Sequence, residues 1–238
     1  MFRLALALLL ASPAAAQIVT DRPDLTESTE AVRRLQVESG LLLDVEDSGS
    51  GGGSPDLSGP QALVRVPVVA GVEVRLGLPD YRVEDVANRN VDGLTDPSVG
   101  AKVELGAAGP WALAAIAEVS LPLGDAAFSG AASPLAILVA GRDAGAFSLG
   151  TQAEVRWDRD ADRVEVGGTF VVGTSVSEAV GVFVEAAAGT TPGDPAVLAQ
   201  TGATLLLSPD VQLDAALGLG LTEPAPDVFA GVGVSARF

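Results

Sequence analysis

The feature that most narrows what this chain can fold into is an alternation of apolar with polar or small residues. It runs in segments of roughly ten from Leu35 to the last residue. In Val211–Thr222 one side reads Val211, Leu213, Ala215, Leu217, Leu219 and Leu221; the other reads Gln212, Asp214, Ala216, Gly218, Gly220 and Thr222. In Val228–Phe238 the apolar side is Val228, Ala230, Val232, Val234, Ala236 and Phe238, opposed by Phe229, Gly231, Gly233, Ser235 and Arg237. A slip of one residue would set Asp214 or Arg237 among the leucines and valines, so the register is well specified. The same pattern holds at 35–44, 99–105, 111–121, 147–157 and 180–186, and more loosely at 62–69, 72–79, 134–141, 163–173 and 196–207. That makes about twelve strands, an even number, as single-chain bacterial barrels have.

The connections sort into two kinds. Tight turns fall at Ala70-Gly71, Ala107–Pro110, Asp143–Gly145, Ser175–Ser177 and Pro209-Asp210. Between them lie Glu46–Gly59, Asp80–Asp96, Gly124–Ser133, Thr190–Pro195 and Glu223–Asp227, with Asp158–Asp162 the one short member of that set. Short periplasmic turns alternating with longer outer loops, both termini periplasmic, describe an up-and-down outer-membrane barrel. A soluble β-sandwich has no reason to sort its loops in this way. No stretch supplies the roughly twenty consecutive apolar residues of a membrane helix. The predicted fold class is therefore all-β: an antiparallel up-and-down transmembrane β-barrel of about twelve strands, set in outer-membrane lipid.

The chain opens Met-Phe-Arg, runs through an apolar stretch from Leu4 to Ala11 and reaches Ala14-Ala15-Ala16 before Gln17. Residues 1–16 thus read as a signal peptide removed on export. Residues 17–33 form an N-terminal periplasmic or lumen-plugging segment, and 34–238 the barrel. Trp111, Phe147 and Phe238 fall at the inferred periplasmic rim and Trp157 at the outer rim, where interface aromatics belong. A C-terminal aromatic such as Phe238 resembles the signal by which the barrel-assembly machinery recognises its clients.

Composition excludes much. The chain has no cysteine and no histidine. That removes thiolate and imidazole metal ligands, Ser-His and Cys-His nucleophile pairs, and histidine general bases. No catalytic residue, cofactor or metal is expected. A net charge of −17 argues against nucleic acid, whose phosphates want a basic footprint.

On the inferred inward face stand Glu38, Asp44, Glu73, Glu104, Glu118, Glu154, Glu165, Glu185 and Asp214 against Arg65, Arg75, Lys102, Arg156 and Arg237. They can line a polar solute path, its acidic excess favouring cations or neutral solutes, or pair into a network that fills a narrow lumen. Asp21, Arg22, Asp24 and Glu27 precede the first strand; they fold back as a plug or gate, or belong to a solvated tail. Asp158, Asp160 and Asp162 have D-x-D-x-D spacing, but no glycine and distal glutamate follow as in an EF-hand, so they read as a solvated acidic turn. Gly218, Gly220, Gly231 and Gly233 read as small inward residues that leave space in the lumen, and Gly49–Gly53 as a flexible outer loop.

The segment Thr20-Asp21-Arg22-Pro23-Asp24-Leu25-Thr26-Glu27-Ser28 resembles the opening of the outer-membrane family named for the MetA pathway of phenol degradation. Gly93-Leu94-Thr95-Asp96-Pro97-Ser98-Val99-Gly100-Ala101-Lys102 is similar to a middle block of that family, and 213–233 to its last hairpin. The resemblance implies an outer-membrane channel or transporter for small solutes, aromatic or otherwise hydrophobic. The alternative is a closed barrel with a structural or surface-interaction role.

Overall fold

A computed structural model describes residues 17–45, 55–85, 89–190 and 195–238. The expected signal peptide, the Gly49–Gly53 loop and most of the Glu46–Gly59 connection lie outside the described residues. The strands are β1 (Gln36–Val45), β2 (Pro55–Val69), β3 (Val72–Leu78), β4 (Tyr81–Asp85), β5 (Asn90–Leu94), β6 (Ser98–Ala108) and β7 (Trp111–Ser120). They continue as β8 (Pro134–Ala144), β9 (Phe147–Asp158), β10 (Arg163–Ser175), β11 (Val180–Gly189), β12 (Ala196–Ser208), β13 (Val211–Gly220) and β14 (Val228–Arg237).

All pairings are antiparallel. β1 pairs with β2 on one side, Gln36 opposite Arg65, and with β14 on the other, Gln36 opposite Arg237. The sheet therefore closes on itself as a twelve-stranded barrel, with β4 and β5 as an extra hairpin. The closing seam reaches the C-terminus, where the Phe238 N–H donates to the Leu35 carbonyl.

That hairpin corrects the sequence reading of Asp80–Asp96 as a simple connection. β4 pairs with Leu57–Gly59, the outer end of β2, so β2 is longer than expected and begins at Pro55. The Tyr81 hydroxyl donates to Asp92 across the hairpin. Asp80 and Thr95 tie its base, and Asp125 receives the Leu94 N–H, bringing the β7–β8 loop against β5.

Facing is decided by parity. Asp214 and Leu217 are three residues apart on β13, yet Asp214 is 6% exposed and Leu217 53%. Outward leucines and valines such as Leu41, Val184, Leu219 and Val232 are likewise exposed and continue round the exterior. A closed sheet leaves no unpaired backbone at its seam, so an exterior of this kind suits hydrocarbon, and the chain is an outer-membrane barrel. β8 fits the alternation poorly because its inward residues are also apolar: Ile137 and Val139 pack with Ile116 of β7 and with Leu135.

Replacing Leu217 by Arg would place a cation on the lipid face near mid-strand, with an expected cost of about 2–4 kcal/mol. Urea unfolding in lipid vesicles, followed by heat-modifiable gel migration, measures it. A variant as stable as the parent would mean that this face does not meet lipid.

Candidate functional site

Inside the cylinder the inward side chains meet residues 17–33, an extended segment without regular secondary structure. Such a segment cannot be buried unless its backbone is hydrogen-bonded. The wall supplies the acceptors. Among the described residues, six backbone N–H groups of the segment donate to barrel side chains: Ile18 to Gln212, Asp21 to Glu38, Leu25 to Glu185, Glu27 to Gln152, Ala31 to Glu104 and Val32 to Glu73. In return Gln36 donates to the Val19 carbonyl, and Thr26 bonds Glu185 and Thr169. Residues 26–29 lie close to the β8–β9 wall, where a β-carbon at Gly141 or Gly150 would sit 3.2 Å from Thr29 or Thr26.

An ion cluster holds the middle of the segment. Arg65 contacts Asp21 at 3.2 Å, Glu38 at 3.0 Å and Glu73 at 2.8 Å. Arg75 contacts Asp21 at 2.5 Å, Glu27 at 2.9 Å, Glu73 at 3.4 Å and Glu118 at 3.6 Å. Lys102 contacts Asp21 at 2.8 Å and Glu27 at 3.4 Å. Among the described residues, Asp21 is the one carboxylate that touches all three cations. It also folds the segment back on itself, accepting from the Ser28 N–H and hydroxyl.

Arg22 points to the opposite wall, 3.5 Å from Asp214 and bonded to Gln61. Its guanidinium fits there because residue 40 is glycine: a β-carbon would lie 2.2 Å from it.

Electrostatics separate the segment's acids. Burial pushes the Asp21 carboxyl up, but the charges of Lys102, Arg65 and Arg75 outweigh it and hold the group well below the ordinary carboxylate range. Burial raises Asp24 to about 8, reinforced by Glu185 and more weakly by Asp21 and Glu38. Glu27 is raised by burial and by Asp21, against the pull of Arg75 and Lys102. The cluster sets five carboxylates against three cations, so a proton held on Glu27 relieves its acidic excess.

Above the cluster lies a cavity of about 300 Å³ whose lining includes Arg22, Pro23, Asp24 and Leu25 of the segment. Barrel residues Leu42, Asp44, Gln61, Leu198, Gln200 and Phe229 complete much of the wall. Here the sequence reading needs correction: Gly218 does not leave free space. Phe229 stands directly opposite it, and a β-carbon at 218 would lie 2.0 Å from the ring. Phe183 covers Gly202 in the same way. These are aromatic side chains filling cross-strand glycine gaps.

The inward candidates divide by depth. Glu38, Arg65, Glu73, Arg75, Lys102, Glu185 and Asp214 are buried; Glu104 and Glu118 are half-buried, Glu104 accepting from the Ala31 N–H and Glu118 lying 3.6 Å from Arg75. Glu154 is half-buried beside Gln152. Arg156 is exposed near the β9–β10 turn, where Glu165 pairs with Arg163. Arg237 sits at the other end, donating to the Pro209 carbonyl at the rim. Arg156, Glu165 and Arg237 at the two mouths therefore stand away from the cluster. Asp158 caps the N–H groups of Asp160 and Ala161, while Asp160 accepts from Ala131, so the acidic turn is tied into neighbouring loops. The neutral residues Gln36, Gln152, Gln200 and Gln212 were not among the sequence candidates. Their inward register was visible, but an amide carries no charge to single it out.

Comparison with curated protein sequences gives no match. Among solved structures the chain is similar to a COG4313 outer membrane channel from Pseudomonas putida F1, at 13% identity and TM-score 0.68, over 89% of this chain and 98% of that one. It is also similar to the KdgM porin, at 9% identity and TM-score 0.60, over 85% and 99% of the two chains. A third likeness is to the translocator domain of the autotransporter NalP from Neisseria meningitidis, at 12% identity and TM-score 0.56, over 87% and 89%. Identities this low speak to the fold alone. Residues 20–238 match the family described as "Putative MetA-pathway of phenol degradation", and the chain belongs to that family.

Proposed function

We propose that this barrel is a channel for small, partly apolar solutes, aromatic compounds among them, and that residues 17–33 are its gate. One observation carries the reading: the segment occupies the lumen beneath an amphipathic cavity, and its own residues Arg22–Leu25 form part of that cavity's wall. A solute entering from the outer side meets Leu42, Leu198 and Phe229 for its apolar part and Gln61, Gln200 and Asp44 for its polar groups. A pocket lined mostly by apolar groups with a few placed polar ones is the usual form of a small-molecule site. The acidic excess favours neutral or cationic solutes. Family membership supports a link to phenolic compounds, and the COG4313 channel likeness supports passage through such a fold.

Under this reading the inward charges have separate duties. Arg65, Arg75 and Lys102, with Glu38, Glu73 and Glu118, seat the gate through Asp21 and Glu27. Asp24 and Arg22 face the solute. Arg156, Glu154 and Glu165 tune the outer mouth, and Arg237 belongs to the rim. The protein acts as a channel and not as an enzyme, in keeping with its lack of histidine and cysteine. Phe238 serves as the assembly signal. A second reading, a permanently closed barrel, draws on the same filled lumen, and gate removal separates the two.

Deleting residues 18–30 is expected to raise single-channel conductance in planar bilayers and to speed liposome swelling by phenol-sized solutes. Unchanged conductance would remove the gate, and silence in both forms would favour the closed barrel. Gly218→Ala should drive the Phe229 ring into the cavity and slow solute entry several-fold while leaving heat-modifiable migration unchanged; equal rates would take the cavity off the solute path.

Acidity should also set the gate. A group whose affinity for protons rises on docking favours the docked state in acid and loses that preference as pH climbs through its docked pKa. For Asp24, and for Glu27 in the same sense, docking weakens from about pH 4 up to about pH 8. Asp21 acts oppositely, its contribution fading only below the ordinary carboxylate range. Open probability should therefore increase between pH 5 and 8, and Asp24→Asn should flatten the profile. A conductance independent of pH would contradict the assignment.

A further inference from the structure

We infer that the exterior of the barrel over β11–β14 and β1 binds one phospholipid of the inner leaflet. Its acyl chain lies in a trough that crosses the strands, and its amine-bearing headgroup meets the β10–β11 turn. The trough measures about 770 Å³, and its lining is almost wholly apolar. It belongs to the lipid side of the wall, apart from the lumen and from the proposed gate.

Strand register builds the trough. Ser39, Val234, Leu213, Leu205 and Val180 stand side by side across five strands and form the bank nearer the periplasm. The next outward ladder begins with Leu41 and Val232 but continues as Ala215 and Ala203, so the opposite bank drops away over β13 and β12. Between the two ladders run Gly40, Gly233, Asp214 and Thr204. The two glycines have no side chain, and the side chains of Asp214 and Thr204 turn inward to Arg22 and Gln17, so the floor is bare backbone. Pro60 of β2 closes the far end.

A single hydrocarbon chain fits this shape. A recess of this kind does not stay empty in a bilayer, because lining atoms without neighbours forfeit their dispersion contacts. Adjacent strands lie roughly 4.8 Å apart and tilt by roughly 40°, so the trough runs roughly 19 Å from β11 to β1 and climbs roughly 12 Å, within the roughly 15 Å depth of one leaflet. It starts at Val180, the first residue of β11 at the short-turn, periplasmic end, and reaches Leu41 midway along β1. An inner-leaflet chain follows the same course, from headgroup level toward the bilayer centre. A second barrel would offer a convex wall and leave a recess one chain wide unfilled. At the lower end Glu178, in the β10–β11 turn, is exposed. The cations of the neighbouring rim, Arg34 and Arg237, are paired with Asp210. That arrangement favours a zwitterionic headgroup carrying an ammonium over an anionic one.

The test is native mass spectrometry of full-length protein purified from outer membranes in mild detergent. The parent should retain one phospholipid per barrel, choosing phosphatidylethanolamine over phosphatidylglycerol when both are offered in mixed micelles. Ala203→Leu with Ala215→Leu fills the trough from the lipid side; it should lower retention several-fold and leave heat-modifiable migration unchanged. Glu178→Gln should keep the lipid and remove the headgroup preference. A parent without bound phospholipid, retention untouched by the leucine pair, or a mass of two chains in place of the lipid would overturn the site. Phosphatidylglycerol held as well as phosphatidylethanolamine by the parent would overturn the headgroup assignment.

Discussion

Closure of β1 against both β14 and β2 is the constraint on which the rest of the structure depends. Once the sheet meets itself, every backbone group in the seam is paired, and the only variable left along a strand is which way each side chain points. Lipid then selects one face and the lumen the other. The one departure from closure is the β4–β5 hairpin, whose outer edge would be open to pairing. Asp125 covers it: the Leu94 N–H donates to its side chain and its own N–H donates to the Leu94 carbonyl.

The interior follows from that division. A closed polar wall with more acids than bases cannot collapse on itself, because its side chains need partners and its like charges repel. Residues 17–33 supply those partners, and their extended backbone in turn needs acceptors that only the wall can offer. Buried ion pairs of this kind contribute little net stability relative to apolar packing, since desolvation offsets their attraction. Their consequence is positional: Asp21, which touches Arg65, Arg75 and Lys102 together, fixes the register of the segment along the barrel. If the segment is the gate proposed above, its hold by charge rather than by apolar packing lets a change of charge release it.

Much of the fold was legible because period two is insensitive to detail. Val211–Thr222 and Val228–Phe238 announce both faces, and the tight turns announce the topology. The β4–β5 hairpin is faint in the sequence although Tyr81 and Val83 alternate with Arg82 and Glu84. Strands of five residues give too few repeats to stand out. β8 was blurred for another reason: Leu135, Ile137 and Val139 make its lumen side as apolar as its lipid side. At the site, parity indicated where Glu38, Arg65 or Asp214 would point. It carried nothing about depth, so Arg156 and Arg237 at the mouths looked the same as Lys102 at the centre. Nor could spacing reveal that Phe229 fills the gap over Gly218, because that contact exists only across two strands in register.

The central claim, that the amino-terminal segment sits in the lumen and closes it, is open to a direct measurement. The chain contains no cysteine, so an introduced pair reports without interference. The hydroxyls of Thr26 on the segment and Thr169 on β10 lie 2.5 Å apart, close enough for Thr26→Cys and Thr169→Cys to form a disulfide. Single-channel recording of this double variant should show a channel locked shut when oxidised and restored to gating by reductant. Failure of the bond to form, or conductance that reductant does not change, would contradict the account.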